Sequence, residues 1–246
     1  MRTEPDHALT RSVRITVPNP PSTPPQLARE LFAPIAADYE RWARVLSMGQ
    51  DGRWRRVMVD GLDLPPGSRV LDVAAGTGSI TRILQKRGFE VISLDQSQEM
   101  LQEAVERGAT GVSATAERLP FPDASFDGVA FGYLLRYVDS VAGCLQELVR
   151  VTRPGGVVGM VEFGRPAGFW RAAWWLYTRL PLPLAGIMLG SGWRRVGRFL
   201  GPSVDRFATE HPPEELATRW RLAGLDDVRI RRLSLGGGLV MWGRRT

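Results

Sequence analysis

The sequence predicts an α/β fold, a mostly parallel sheet with helices on both faces, on three observations. Short apolar runs alternate with segments of helical period through residues 69–163, a rhythm that calls for parallel strands joined by right-handed crossovers. The first of these runs meets a glycine-containing turn that opens a helix. The chain then closes on two strand-like runs joined by Gly236-Gly237-Gly238, a hairpin signal that sets the last strand antiparallel to its neighbour.

The elements follow in order. Residues 26–60 read as helical, because Leu27, Leu31, Ile35, Tyr39, Trp42 and Leu46 recur at near three-to-four spacing. Pro65, Pro66 and Gly67 make a turn before a strand over 69–74. A helix over 78–86 leads to a strand over 90–95 that ends on an acid, then a helix over 97–107 and a short strand over 111–114. A fourth strand spans 126–131, and a helix over 141–152 stops at Pro154-Gly155-Gly156 before the fifth strand, 157–163. Residues 166–209 break the alternation; rich in Trp, Pro and Arg, they predict a helical cover inserted in the domain. Regularity returns with a helix over 213–223 and strands over 228–233 and 239–242. Six prolines up to Pro25 mark residues 1–25 as a flexible tail, which leaves 26–246 as one domain.

Composition narrows the class. A single cysteine, Cys144, excludes an intramolecular disulfide and sets a cytoplasmic location as the expectation; in the apolar helical run around it, it reads as a packed core thiol. The net charge of +6 is uneven: residues 165–246 hold fourteen arginines against six acids. Such a basic portion suits an anionic partner, or else reflects a general use of arginine, since Lys86 is the one lysine. No nucleic-acid-binding motif is present, so a nucleic-acid partner is not expected. The longest apolar stretch, 166–190, is broken by Arg171, Arg179, Pro181 and Pro183 and is not a membrane span. Its Phe169-Trp170-Arg171, Trp174-Trp175, Tyr177 and Trp193-Arg194-Arg195 combine interfacial aromatics with cations. They predict either peripheral membrane contact through 166–200, a lid over an apolar acceptor, or plain packing on the sheet.

The strongest chemical signal is Asp72-Val73-Ala74-Ala75-Gly76-Thr77-Gly78. A buried strand enters a turn where glycines let the backbone approach a ligand, and the helix beyond offers unpaired N–H groups and positive potential. Seventeen residues past Gly78 stands Asp95, placed to accept both hydrogen bonds of a ribose diol. Turn and acid together fit S-adenosyl-L-methionine (SAM) or a nicotinamide cofactor. The third glycine of the dinucleotide fingerprint is replaced by Thr81, which favours SAM.

With these residues and the segment from Ala116-Glu117 through Leu119-Pro120-Phe121, the chain resembles class I SAM-dependent methyltransferases of the ubiquinone/menaquinone C-methyltransferase family. Glu162-Phe163-Gly164-Arg165-Pro166, Leu135-Arg136 and the terminal glycine hairpin belong to the same resemblance, which runs over roughly residues 30–245. It implies a Rossmann-like seven-stranded sheet whose last strand is antiparallel. It also implies a cofactor set of Asp72, Ala74, Gly76, Thr77, Gly78, Asp95, Gln96, Met100, Thr115, Ala116, Glu117 and Gly132. In that set Asp72 faces the amine, Thr77 and the glycines the methionine portion, Asp95 the ribose, and Thr115-Ala116 the adenine. The family usually carries Asp or Asn at the position of Thr115, and Asn at that of Tyr137.

Methyl transfer is a displacement that requires alignment and dryness rather than a covalent enzyme intermediate. A ring-carbon acceptor also requires its phenol deprotonated, hence a base or a cation that stabilises phenolate. The candidates are Arg136, which the resemblance places beside the acceptor, Tyr39, and His211 ahead of Pro212-Pro213; His7 lies in the tail. No metal site is expected. The function expected is methylation of a lipophilic quinol precursor such as a demethylmenaquinol. The alternatives are another apolar acceptor methylated at C, O or N, a nicotinamide-dependent reductase, and a catalytically silent SAM-binding accessory protein. A homodimer is left open.

Overall fold

The computed structural model describes residues 23–246. The predicted tail up to residue 22, with His7, lies outside the described residues. Seven strands are present: β1 (Arg69–Val73), β2 (Glu90–Asp95), β3 (Thr110–Ser113), β4 (Phe126–Gly132), β5 (Thr152–Phe163), β6 (Leu225–Leu233) and β7 (Gly238–Arg245). They form one sheet in the order β3-β2-β1-β4-β5-β7-β6. β1 through β5 pair parallel, and β7 runs antiparallel to both β5 and β6. The order reverses direction between β1 and β4, and in open sheets of this kind ligands bind in the crevice that opens there.

Both faces of the sheet are covered because its central strands are apolar on both sides. Val70 and Leu71 are adjacent in β1, and both are fully buried. On one face α3 (Gln50–Asp60) and α4 (Ser79–Lys86) bring Trp54, Met58, Ile80 and Leu84 onto Val70, Ala130, Val161 and Val240. On the other, α6 (Val141–Val151) and α10 (Pro213–Leu222) bring Leu145, Leu148, Leu216 and Trp220 onto Leu71, Phe131 and Met160. Each such side chain fully buried contributes about 1.5–3 kcal/mol. Cys144 is fully buried in this second layer. α5 (Gln98–Glu106) completes the repeat between β2 and β3.

The helical region predicted over 26–60 is broken into α1 (Pro24–Phe32), a 3-10 turn at Ala33–Asp38, α2 (Tyr39–Leu46) and α3. Pro34, at the second position of the 3-10 turn, lacks the N–H that would continue α1. Met48 and Gly49, both at positive φ, end the second helical stretch. α1 starts at Pro24, so the last residues assigned to the tail belong to a helix. The Pro154-Gly155-Gly156 stretch lies inside β5, which starts directly after α6 and shifts register against β4 between Phe126 and Gly128.

Residues 169–210 are helical: α7 (Phe169–Arg179), α8 (Pro181–Leu189) and α9 (Ser191–Glu210). α8 and α9 lie backbone to backbone at Gly186, where a Cβ would stand 2.5 Å from the Trp193 carbonyl oxygen. This cover packs on the N-terminal one. Leu31, Ile35, Trp193, Val196 and Tyr137 form a third apolar cluster above the carboxyl ends of the strands.

Candidate functional site

The chain leaves β1 through Ala74, whose φ of 55° puts an L residue in the left-handed region. Tyr133, just past β4, does the same at 58°. Such strain persists only where the surroundings over-determine it, and it gathers at sites of function. Between the two strand ends lies a cavity of about 120 Å³ lined by residues that include Ala74, Thr77, Asp95 and Met100. Gly78 caps α4 at φ 80°, and a Cβ there would lie 3.2 Å from that of Ala104.

The carboxylates beneath this turn are held by specific donors. Asp95 accepts from the Gly76 N–H and the Ser97 N–H, each at 2.8 Å. Its carboxyl is raised by burial, against these opposing hydrogen bonds. Asp72 is fully buried; its Oδ2 accepts from Thr81 Oγ1 at 2.6 Å, while Oδ1 has no hydrogen-bond partner. Burial pushes its carboxyl up to about 7, with the Thr81 hydrogen bond opposing. An orphaned buried carboxylate oxygen costs stability unless a ligand cation completes it. The Asp95 carboxylate in this cavity suits a ligand diol, and the orphaned Asp72 oxygen beneath the turn suits a ligand amine.

Of the twelve residues expected around a cofactor, Ala74, Gly76, Thr77, Asp95, Gln96, Met100, Thr115, Ala116, Glu117 and Gly132 line this cavity; Gly78 sits in the turn and Asp72 is buried in β1, and neither lines it. Gln96 donates to the Pro25 carbonyl at 3.0 Å and so fastens α1 over the rim. Glu117 accepts from the Asp139 and Ser140 N–H groups, ordering the loop before α6. Thr115 is exposed.

A second cavity of about 400 Å³ lies between the sheet and both covers. Its walls are mainly apolar, with Trp54, Phe163, Trp174 and Leu200 among them. Phe32, Tyr39 and Tyr133 line both cavities and form the boundary between them. Tyr39 stacks on Trp193 at 6.3 Å between ring centroids, which ties the two covers together. Burial raises its phenol, with Arg55 opposing.

Two ionic pairs face this apolar space. Asp51 of α3 accepts from Arg55 Nε at 2.9 and 3.0 Å and from the Tyr133 hydroxyl. Arg55 is buried and lies over the Tyr133 ring; Asp51 lines the second cavity and Arg55 the first. Burial drives the Tyr133 phenol well above its usual value, and Asp51 adds to this. Farther in, Arg136 Nε donates to Glu162 Oε1 at 3.0 Å. Arg136 also lines the cavity, with Nη1 reaching Ser203 Oγ at 3.3 Å and the guanidinium over the rings of Tyr137 and Phe163. Glu162 Oε2 is buried without a partner.

Arg136 and Tyr39 therefore meet at the second cavity. His211 does not: it closes the C-terminus of α9 with its ring 4.9 Å from Phe207, a residue of the core beneath the sheet's other face, and it lines neither cavity. Asp51, Arg55 and Tyr133 were not among the sequence candidates. Their one sequence signal is the four-residue spacing of Asp51 and Arg55, which on a helix usually marks a surface ion pair. Glu40 was missed too. It accepts from Thr77 Oγ1, Ser79 Oγ and Arg82 Nη2 at 2.9, 2.8 and 2.6 Å, latching α2 to the start of α4. Burial would raise Glu40; the Arg82 and Ser79 hydrogen bonds outweigh it and hold the carboxyl below the usual range.

Residues 23–244 match the model of the ubiE/COQ5 methyltransferase family. The chain belongs to that family. The ubiquinone/menaquinone biosynthesis C-methyltransferase UbiE of Desulfotalea psychrophila is 36% identical over 221 residues, covering 87% of this chain and 88% of that protein. The demethylmenaquinone methyltransferase of Renibacterium salmoninarum is 35% identical over 224 residues, or 88% and 90% of the two chains. Among solved structures, a SAM-dependent methyltransferase of Thermotoga maritima superimposes with a TM-score of 0.63 at 20% identity, over 89% of this chain and 99% of that one. The [4+2]-cyclase SpnF superimposes at 0.61 with 17% identity, over 91% and 96%; at that distance the likeness is one of fold. This methyltransferase uses SAM as its cofactor, and the orphaned Asp72 oxygen, the Asp95 carboxylate and the glycine turn fit that molecule's amine, ribose and methionine portion.

Proposed function

We propose that the protein methylates a ring carbon of a lipophilic quinol precursor of the demethylmenaquinol type, and that the twelve cofactor residues and Arg136 and Tyr39 act in that reaction. The observation that carries the reading is the large apolar cavity that meets the cofactor cavity at Phe32, Tyr39 and Tyr133 and holds the Asp51 carboxylate beside that junction. SAM supplies an electrophilic methyl group on a sulfonium. The chain supplies dryness, orientation and charge.

The apolar walls exclude water and hold a flat ring in line with the junction, a restriction of freedom that contributes up to about 7–11 kcal/mol to such reactions. Asp51 takes the proton of the acceptor's hydroxyl. Arg55 and Arg136, permanent cations in a dry cavity, stabilise the phenolate that results. The ring carbon next to that oxygen becomes the nucleophile and takes the methyl as the carbon–sulfur bond breaks to leave a thioether. The ring carbon's proton then passes to the ring oxygen, and the proton held by Asp51 is the one released to solvent. Relatives named for quinone biosynthesis support this acceptor class. The lipophilic tail of such an acceptor accords with peripheral membrane contact through residues 166–200.

Another apolar acceptor is the second reading, favoured by Tyr137. Its ring is buried against Phe32 and Phe199 where the family resemblance expects the smaller asparagine. The decisive experiment is methyl transfer from isotopically labelled SAM to a demethylmenaquinol analogue in detergent micelles. A product one labelled methyl heavier on the ring is expected. No product, with SAM bound in the same sample, overturns the acceptor assignment.

A further inference from the structure

We propose that the acceptor enters sideways from an anionic bilayer, through a mouth rimmed by Met48, Trp170 and Leu235, while the outer faces of α7 and α8 rest on the lipid. The proposal rests on the lipophilic-acceptor reading above and names the partner and the route for that site. Met48, Trp170 and Leu235 line the acceptor cavity, yet Met48 and Leu235 are 74% and 64% exposed and Trp170 is half exposed. Large apolar side chains that do both are the edge of its opening.

The two loop tips at this edge are strained. Met48 has φ 51°, and Ser234 and Leu235 have φ 48° and 59°, a region unfavourable for such residues. Ser234 fixes its tip: Trp54 Nε1 donates to its hydroxyl at 2.8 Å, and the hydroxyl donates to Gln50 Oε1 at 2.7 Å. Gln50 stands two residues past Met48, so both tips are tied to the start of α3. The strain presents Met48 and Leu235 outward beside the opening.

The apolar surface continues from the mouth. Phe169 of α7 is 80% exposed and Met188 of α8 is 87% exposed, with Trp175, Leu176, Leu184 and Ile187 between them in the sequence and also exposed. α8 carries no charged residue. Its inner side gives Leu182 and Gly186 to the cavity wall, while its outer side shows Leu184, Ile187 and Met188 to the exterior. A surface of this extent on a folded domain marks an interaction site.

Charge selects the partner. Residues 164–204 contain six arginines and no acid. Arg179 is paired with Asp205, whereas Arg171, Arg194, Arg195 and Arg198 are exposed, with no ion pair among the described residues. A second copy of the chain would bring the same positive charge to the contact, which opposes self-pairing. Anionic headgroups complement it, and aromatic rings with arginines beside an uncharged apolar helix suit the headgroup boundary. Among the described residues no helix is long and apolar enough to cross a membrane, so the contact is peripheral.

The test is flotation of the full chain with phosphatidylcholine vesicles, with and without phosphatidylglycerol, in the absence of any acceptor. Binding to the anionic vesicles alone, lost at high salt, is expected; a chain that stays unbound overturns the proposal whatever the acceptor is. The double variant Phe169→Glu, Met188→Glu touches neither cavity. It should bind vesicles at least tenfold more weakly and methylate a vesicle-embedded long-chain acceptor correspondingly more slowly, with turnover of a short-chain analogue unchanged within twofold. Equal vesicle turnover by variant and parent overturns the route. A parent that sediments as a dimer and a variant that sediments as a monomer overturn the lipid partner in favour of self-association.

Discussion

Under the proposed role of Asp72, SAM binding depends on pH in a way that can be calculated. Its folded carboxyl stands at about 7 in place of 3.8, chiefly because burial penalises the charge. In the proposed assignment the ligand amine, a cation, completes Oδ1 only when Asp72 is ionised. The apparent dissociation constant is then the intrinsic one divided by the ionised fraction. With a carboxyl at about 7, that fraction falls from about one half at pH 7 to about one hundredth at pH 5. Affinity should fall about fiftyfold over that range, or about 2.3 kcal/mol. The sign is fixed by the direction of the shift: a raised carboxyl must release its proton to bind the cation, so binding strengthens as pH rises toward 7 and proton release accompanies it. Isothermal titration calorimetry at pH 5, 6 and 7, in two buffers of different ionisation enthalpy, reads both quantities. The variant Asp72→Asn should bind more weakly at pH 7 and lose the slope, so that the two proteins converge at pH 5. An affinity flat from pH 5 to pH 7 in the parent, or a slope kept by Asp72→Asn, would refute the assignment.

Four further outcomes are expected. Asp95→Ala removes the acceptor of the Gly76 and Ser97 N–H groups along with the proposed ribose contact, so SAM affinity measured by calorimetry should drop at least tenfold, and an unchanged value removes the ribose role. Asp51→Asn keeps the size and polarity of the side chain but not the base; kcat should fall by about 10²–10⁴ with SAM affinity within threefold, and an equal loss in both would place Asp51 in cofactor binding. Arg136→Ala leaves the buried Glu162 charge unpaired, a cost of about 3–5 kcal/mol and of the order of 10 °C in Tm. Calorimetric melting of Arg136→Met with Glu162→Gln should recover most of it, and identical melting of the two variants would show that the pair is not what Arg136→Ala disturbs. Glu40→Gln loosens a partly solvated latch, so the effect is small, about 1 kcal/mol; steady-state kinetics should show it as a rise in acceptor KM of about fivefold, and a lower Tm with unchanged KM would make the latch purely structural.

The sheet was legible because its central strands are buried on both faces and so appear as continuous apolar runs, with the glycine turn between β1 and α4 as a local signal. The predicted edges of β2 coincide with the structure, whereas β6 begins at Leu225, three residues before the predicted start at Val228, because the exposed acids Asp226 and Asp227 follow the buried Leu225. The lining of the first cavity was readable for the same local reason: its residues sit at consecutive strand ends. The second cavity was only half readable. Asp51 and Tyr133 meet across 82 residues, and Arg136 and Glu162 across 26; no period or spacing within one element announces a pair formed by packing. His211 was singled out for its chemistry alone. Its place at the end of a helix, against a core phenylalanine, followed from packing that a scarce residue type does not reveal.

Position along α2 also joins the two halves of the site. Tyr39 and Glu40 are consecutive at the start of that helix. Tyr39 faces both cavities and stacks on Trp193 of the second cover; Glu40 grips Thr77, Ser79 and Arg82 at the start of α4. Whatever moves the glycine turn therefore moves the tyrosine at the boundary, because one turn of helix carries both side chains. The same helix ends at Leu46, whose carbonyl accepts the Tyr177 hydroxyl of α7, two residues before Met48 at the mouth. Cofactor turn, cavity boundary and entrance are thus mechanically in series along eight residues of α2 and the loop beyond it. Filling the first cavity should stiffen the second, a coupling that needs no rearrangement of the sheet.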